Sequence, residues 1–400
     1  MSKIEEKIPM KPFENITVLE FSTMITASFA AMMMADQGAR VIKVEPMDMG
    51  DPMRYIGAAK GGISALFANC NRGKQSIKVD LKQAAGQQLI RDMMPQVDVV
   101  IHNFRPGVMD SLGLGSASLR EINPRLVYLA VSGFGTTGPL AKAPAYDPII
   151  QAHVGMTASQ GMAGHTFIRN LMCDKITAYT AMQAVTGALL VRANTGEGQH
   201  VDVAMIDAGL FFIYPDSFMN DTLMDSDIAP QPLLSDLIYE LTETQDGAIT
   251  MSAATDRQRA GVLKALGKES MMADPRFNSM ESLLQNIDAY RESLADAFKQ
   301  LPTDVILARL IENEVPAARC LSRAEVLSQP QLKSNETIVE RDHPLMGSMR
   351  LVRSPAKFNG EPLPVAGHAP AHGQDTDQVL ADFGLSIDAR QALKAVGAVA

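Results

Sequence analysis

The sequence predicts an α/β protein built on a parallel sheet, followed by a second domain. Short β-branched runs recur through the first third of the 400 residues, and helical patterns lie between several of them. A proline- and aspartate-rich stretch with little periodicity then precedes a new helical region. A chain of this length can bury two cores.

Strands are predicted at residues 16–21, 40–45, 76–80, 97–103 and 126–132, with helices at 25–37, closed by Gly38, and 84–94, closed by Pro95. Ile176, Tyr179, Met182, Val185 and Leu189 keep helical spacing up to Thr195-Gly196-Glu197-Gly198, so Asp174 falls at or just before a helix start. A strand at 200–205 closes a large α/β domain over residues 1–215. Residues 216–232 read as a linker. A smaller domain is expected over 233–328, with an extended run at 248–253 and helices at 257–266, 279–300 and 304–313. Residues 329–400, with an extended region at 347–358, are expected to return to the large domain.

Composition narrows the functional classes. A net charge of −9 disfavours nucleic acid or anionic membrane as a partner, so an anionic ligand needs a local basic pocket. The first seven residues carry acidic side chains and no apolar core, which argues against a secretory signal, and the longest apolar run, 24–35, is too short to cross a bilayer. Cys70, Cys173 and Cys320 have neither disulfide-framework nor metal-ligand spacing, which points to a reducing cytoplasm and no metal. The sequence has no G-x-G-x-x-G after the first strand and no G-x-x-x-x-G-K-[ST].

In a parallel sheet, ligands bind beyond the carboxyl ends of the strands, which directs attention to Glu45-Pro46, Asn103-Phe104-Arg105 and Gly133-Phe134-Gly135. Asp174 reads either as a helix cap or as an anionic nucleophile whose charge the helix start favours. An Asp is ionised near neutrality and needs no base to attack a thioester. Cys173 beside it is a rival nucleophile that would need a base, with His165 the nearest in sequence. Arg54, Arg72, Lys74, Lys82, Arg105 and Lys142 each read as solvated surface charges. Arg105 is the exception, because an amide, an aromatic face and a guanidinium follow one strand and suit adenine stacking and phosphate pairing.

Taken together, the motifs resemble the family III CoA-transferases, the CaiB/BaiF type that includes carnitine and formyl-CoA transferases. The likeness is carried by Gly38-Ala39-Arg40-Val41-Ile42-Lys43-Val44-Glu45-Pro46, Asn71-Arg72-Gly73-Lys74, Asn103-Phe104-Arg105-Pro106-Gly107, Ser132-Gly133-Phe134-Gly135 and Ala145-Tyr146-Asp147. Asp174 before a long helix ending in Thr195-Gly196-Glu197-Gly198 completes it, and Asp246-Gly247, Asp256-Arg257-Gln258 and His372-Gly373-Gln374-Asp375-Thr376 extend it.

The resemblance implies a Rossmann-like large domain, a smaller inserted α+β domain, and a homodimer whose two chains interlock. It implies Asp174 as the nucleophile, with Asn103, Phe104, Arg105, Lys82 and Arg72 toward CoA. Tyr146, Gly133 and Gly135 are expected at the substrate pocket. CoA then passes from an acyl-CoA donor to a carboxylic acid through an aspartyl anhydride and an enzyme-CoA thioester, with no metal and no prosthetic group. Two features depart from the pattern: Cys173 stands where relatives commonly have Gly, altering the room for the acyl group, and no glycine-rich lid is evident. The alternatives are an α-methylacyl-CoA racemase, whose pattern has a catalytic His where this chain has Tyr146, and a non-catalytic acyl-CoA binder.

Overall fold

The computed structural model describes residues 11–160 and 164–400. The N-terminal heptad read for a signal lies outside them. The chain divides into two compact units, one running through Tyr214 and resuming over Lys333–Ala400, the other Pro215–Leu332.

Six strands of the first unit pair entirely in parallel: β1 Thr17–Phe21, β2 Arg40–Glu45, β3 Lys74–Lys78, β4 Val99–His102, β5 Val127–Ser132 and β6 His200–Ala204. Their order is β3-β2-β1-β4-β5-β6. The chain winds outward from β1 on one side and then crosses back to place β4 on the other. The reversal leaves a crevice beyond the carboxyl ends of β1 and β4. The third strand begins two residues before its predicted start because Lys74 is buried in an ion pair, a position that apolar patterning passes over. Val79, beyond its end, bridges to Val399, and Asp375 accepts from the Ser76 N–H at 2.8 Å. The C-terminal segment thus covers this edge strand.

Helix α1, Thr26–Asp36, is buried nearly all round. Ala27, Ala30 and Ala31 permit close approach while Met32 and Met34 fill the remaining space, as a helix packed on several sides requires. Gly38 ends the turn beyond it at φ +103°, where a Cβ would lie 2.7 Å from that of Lys11. Helix α2 spans Ala84–Met93, and Pro95 sits in the 3₁₀ turn beyond it. Helix α3 is Asp147–His153 and α4 is Met172–Thr195, which packs against α1. Helix α5 runs over Met205–Ser217, so Met205 opens a helix rather than ending a strand, and the first two residues of the predicted linker are helical. Beyond them Asn220 and Gln231 close a loop: Asn220 Nδ2 donates to the Gln231 carbonyl at 2.8 Å and the Gln231 N–H returns to Asn220 Oδ1 at 2.9 Å.

Under the carboxyl ends of β1, β2 and β3 lies a fully buried ionic network. Lys43 meets Glu20 at 2.8 Å and Asp51 at 3.0 Å, Lys74 meets the second Glu20 oxygen at 2.6 Å, and Arg54 forks onto Glu45 at 2.6 and 2.9 Å. Arg54, Arg72 and Lys74 are therefore interior, against the expectation of solvated charges, because each meets a buried carboxylate, Glu45, Asp36 and Glu20 respectively. Lys82, Arg105 and Lys142 are exposed.

The second unit is α+β by its own elements. An antiparallel sheet of β7 Thr242–Glu243, β8 Ala248–Met251 and β9 Ala317–Arg319 packs with α6 Asp256–Leu266, α7 Ile287–Lys299 and α8 Thr303–Glu312 around Ile249, Val262, Phe298 and Leu310. The predicted 279–300 helix is two helices, broken at Asn286. Asp246 caps α8, accepting the Thr303 N–H at 2.7 Å.

Candidate active site

Segments following β1, β4 and β5 converge with the first turn of α4 on a pocket of about 250 Å³. Thr23, Met24, Thr26, Asn103, Phe104, Arg105, Gly133, Tyr146 and Asp174 line it. Met24 holds a positive φ of +61°, unusual for a side chain of its size. Two contacts impose that turn. The Met24 N–H donates to Asp51 Oδ1 at 3.2 Å, and Asn103 grips Thr23 by accepting from its N–H at 3.1 Å and donating to its carbonyl at 2.7 Å. Asn103 therefore spends its amide on holding the loop after β1, while its neighbours Phe104 and Arg105 face the pocket. Arg105 is exposed and forms no ion pair among the described residues. Gly133 lets the 141–146 segment approach: a Cβ there would lie 2.2 Å from that of Ala145.

Asp174 is the third residue of α4, inside the first turn, and is not the cap. The capping oxygen comes from 27 residues upstream. Buried Asp147 accepts the Asp174 N–H on Oδ2 at 3.0 Å and is itself held on Oδ1 by Gln151 at 2.6 Å. The Asp174 carboxylate is thereby left for other work. Its Oδ1 accepts a 2.5 Å hydrogen bond from Thr26, at the head of α1. Burial pushes the Asp174 carboxyl above its ordinary 3.8, the Thr26 hydroxyl pulls it back, and the Asp147 carboxylate pushes it up again. The side chain is only half-buried and opens onto the pocket.

Cys173 is fully buried, and burial together with the Asp147 and Asp174 carboxylates pushes its thiol up to about 12. It stays protonated at neutral pH. It is not among the residues that line the pocket. His165 lies on an exposed loop.

Three residues expected from the sequence are not at this pocket. Arg72 is locked against Asp36 at 2.6 Å in the interior, and Lys82 is exposed elsewhere on the first unit. Gly135 uses its N–H on Ser132 Oγ at 3.0 Å and does not line the cavity. Sequence reasoning missed the roles of Thr26 and Asp147. Tyr146-Asp147 was visible as a motif, but Thr26 lies 148 positions from its partner and carries no local signal.

A family model for CoA-transferase family III matches residues 13–376. The chain belongs to CoA-transferase family III. Among curated relatives, the acetyl-CoA:oxalate CoA-transferase of Acetobacter aceti is 31% identical, with 88% of this chain and 90% of that one covered. The succinyl-CoA–D-citramalate CoA-transferase of Chloroflexus aurantiacus is 30% identical over 95% of this chain and 96% of its own. A CaiB/BaiF family protein from Brucella suis has a similar solved structure, with a TM-score of 0.81 and 28% identity, covering 93% of this chain and 99% of that one. These likenesses confirm the family read from the motifs. A family III CoA-transferase is an enzyme whose substrates are CoA thioesters. No helix among the described residues is long and apolar enough to cross a membrane.

Proposed function

We propose that this family III transferase moves CoA from an acyl-CoA to a free carboxylic acid with Asp174 as covalent catalyst. The reading rests on one observation: the Asp174 carboxylate opens onto the pocket at the switch point, with its backbone N–H capped by Asp147 and one oxygen held by Thr26. Thr26 occupies Oδ1, so Oδ2 attacks the thioester carbonyl carbon. The carbon–sulfur bond breaks, CoA leaves as thiolate, and a mixed anhydride remains. The thiolate then attacks Cγ of Asp174, expelling the donor acid and leaving an aspartyl-CoA thioester. In that step negative charge develops on Oδ1, where the Thr26 hydroxyl already points. The acceptor carboxylate attacks the same Cγ, CoA leaves again, and its thiolate takes the acceptor acyl group from the new anhydride, regenerating Asp174.

The pocket matches the reacting end of a thioester rather than a whole nucleotide. Phe104 offers a stacking face for adenine and exposed Arg105 a fork for phosphate. Tyr146, 68% exposed, stands at the mouth, and no histidine lines the pocket to serve as the second base of a racemase. The acceptor we propose is a small di- or hydroxy-carboxylate, the class of acid named for the relatives from Acetobacter and Chloroflexus. We also read residues 215–332 as a domain inserted into the large one and the active species as a cytoplasmic homodimer; Phe211, 84% exposed on α5 beside exposed Leu210 and Phe212, supplies an apolar face of the kind such interfaces bury.

Incubation with a panel of acyl-CoAs and free acids, with mass spectrometry of the peptide containing Asp174, tests the mechanism. CoA or hydroxylamine adducts on that peptide are expected. Turnover with adducts elsewhere, or deuterium uptake into a branched acyl-CoA without transfer, would refute it.

A further inference from the structure

The second unit contains a cavity of about 410 Å³ bounded by β7, α6 and α7, within the range that small-molecule sites occupy. Met251, Val262, Leu283, Ile287, Leu294 and Phe298 give it a hydrocarbon wall. Against that background stands Arg259, which is 1% exposed. Asp256, one turn earlier on α6, reaches only its Nη2 at 3.2 Å from the solvent side. Its Nε and Nη1 have no hydrogen-bond partner among the described residues. Two hydroxyls lining the same cavity share that condition, Tyr290 on α7 and Thr242 on β7. Buried donors that remain unpaired are costly, and a guanidinium is the most costly of them.

All three groups can donate, and three different elements bring them to one cavity. Burial holds the Tyr290 phenol up at about 12 even with Arg259 near, so it keeps its proton. Two acidic side chains of this wall are already engaged, Glu243 with Lys299 at 3.0 Å and Glu240 with Arg291 at 2.7 Å, and the third, Glu292, is exposed. We infer that the cavity is a binding site for an organic carboxylate with an apolar body. An unpaired guanidinium donor of Arg259 meets the carboxylate, Tyr290 and Thr242 donate to it, and the hydrocarbon chain lies along Leu294 and Phe298. Inorganic phosphate satisfies the guanidinium but gains nothing from the apolar wall. None of its lining residues lines the pocket of Asp174, and its existence does not depend on the mechanism proposed there.

The test is isothermal titration of the full-length protein with octanoate, and with octylamine and inorganic phosphate as controls, using Asp174→Ala to prevent turnover. One octanoate per chain is expected, with octylamine and phosphate at least about tenfold weaker. Arg259→Met should weaken octanoate about thirtyfold or more, because it removes the charged partner of a buried pair, while CoA-transfer activity in an otherwise native chain is unchanged. If Arg259→Met does not fold, Tyr290→Phe and Thr242→Val serve in its place, each weakening octanoate severalfold. Absence of saturable octanoate binding, equal affinity for octylamine, or undiminished binding in these variants overturns the site.

Discussion

Glu45 and Asp174 both lie near the carboxyl edge of one sheet, yet the two sides of the molecule treat the same functional group in opposite ways. Beside β2, burial alone would raise the Glu45 carboxyl, but hydrogen bonds from Arg54 and the charge of Lys43 outweigh it and hold it at about 2. Beyond β1 and β4, burial raises the Asp174 carboxyl, and the Thr26 hydrogen bond and the charge of Lys175 do not outweigh it together with the Asp147 carboxylate. Glu45 is thereby neutralised in a closed network, a fixture that braces the strand ends. Asp174 opens onto the pocket with its carboxylate less fully paired, the environment that suits the nucleophile proposed for it. A guanidinium forked onto Asp174, as Arg54 is onto Glu45, would have made it another Glu45.

The largest way to break the comparison is to delete the reactive member. Asp174→Ala should lower CoA-transfer turnover by about 10⁴-fold or more while leaving thermal stability near native. A variant within about tenfold of native would exclude Asp174 as nucleophile. Deleting a cation on the other side should act on stability instead. Lys43→Met takes the only ion-pair partner described for buried Asp51 and leaves Glu20 with Lys74 alone, and urea denaturation should show a loss of about 3–5 kcal/mol.

Next come two small changes with opposite signs. Thr26→Val removes the hydrogen bond that lowers the Asp174 pKa, so the acidic limb of kcat/KM should move to higher pH, with turnover down about tenfold from the lost donor. Asp147→Asn keeps the cap oxygen but removes a charge that raises the same pKa, so that limb should move to lower pH. Shifts in the same direction would show that the limb does not report Asp174. The smallest effect is on stability against pH. Glu45, lowered in the fold, contributes stability above its ordinary 4.5 that is lost as pH falls toward about 2, whereas Asp174, raised in the fold, favours the folded state below 3.8 and loses that contribution as pH rises through its folded value. Urea midpoints of Glu45→Gln and Asp174→Asn across this range should change slope in opposite senses relative to the native protein.

Much of the large sheet was legible because its strands are buried on both faces and so read as β-branched runs. The Arg40–Glu45 strand was placed at its observed bounds even though Arg40, Lys43 and Glu45 interrupt the apolar pattern. The third strand was displaced because Lys74 is polar by type and interior by partner. At the site, Asn103, Phe104, Arg105, Gly133, Tyr146 and Asp174 were all singled out from motifs, and the structure gathers them around one cavity. Arg72 was drawn into the same set because a conserved-looking basic motif does not say whether its charge meets a ligand or Asp36.

The sequence by itself determined the strand-and-helix alternation, the family, and the segments that end at the sheet's carboxyl edge, since each depends on local composition and order. Only the tertiary structure decided that Asp174 is not itself the helix cap and opens onto the pocket, that Thr26 and Asp147 are its partners, and that Arg259 lies buried with donors to spare. The physical reason is common to all three. Whether a polar group is solvated, paired or left wanting depends on which distant segment the fold brings within about 3 Å of it, and sequence separation carries no such distance.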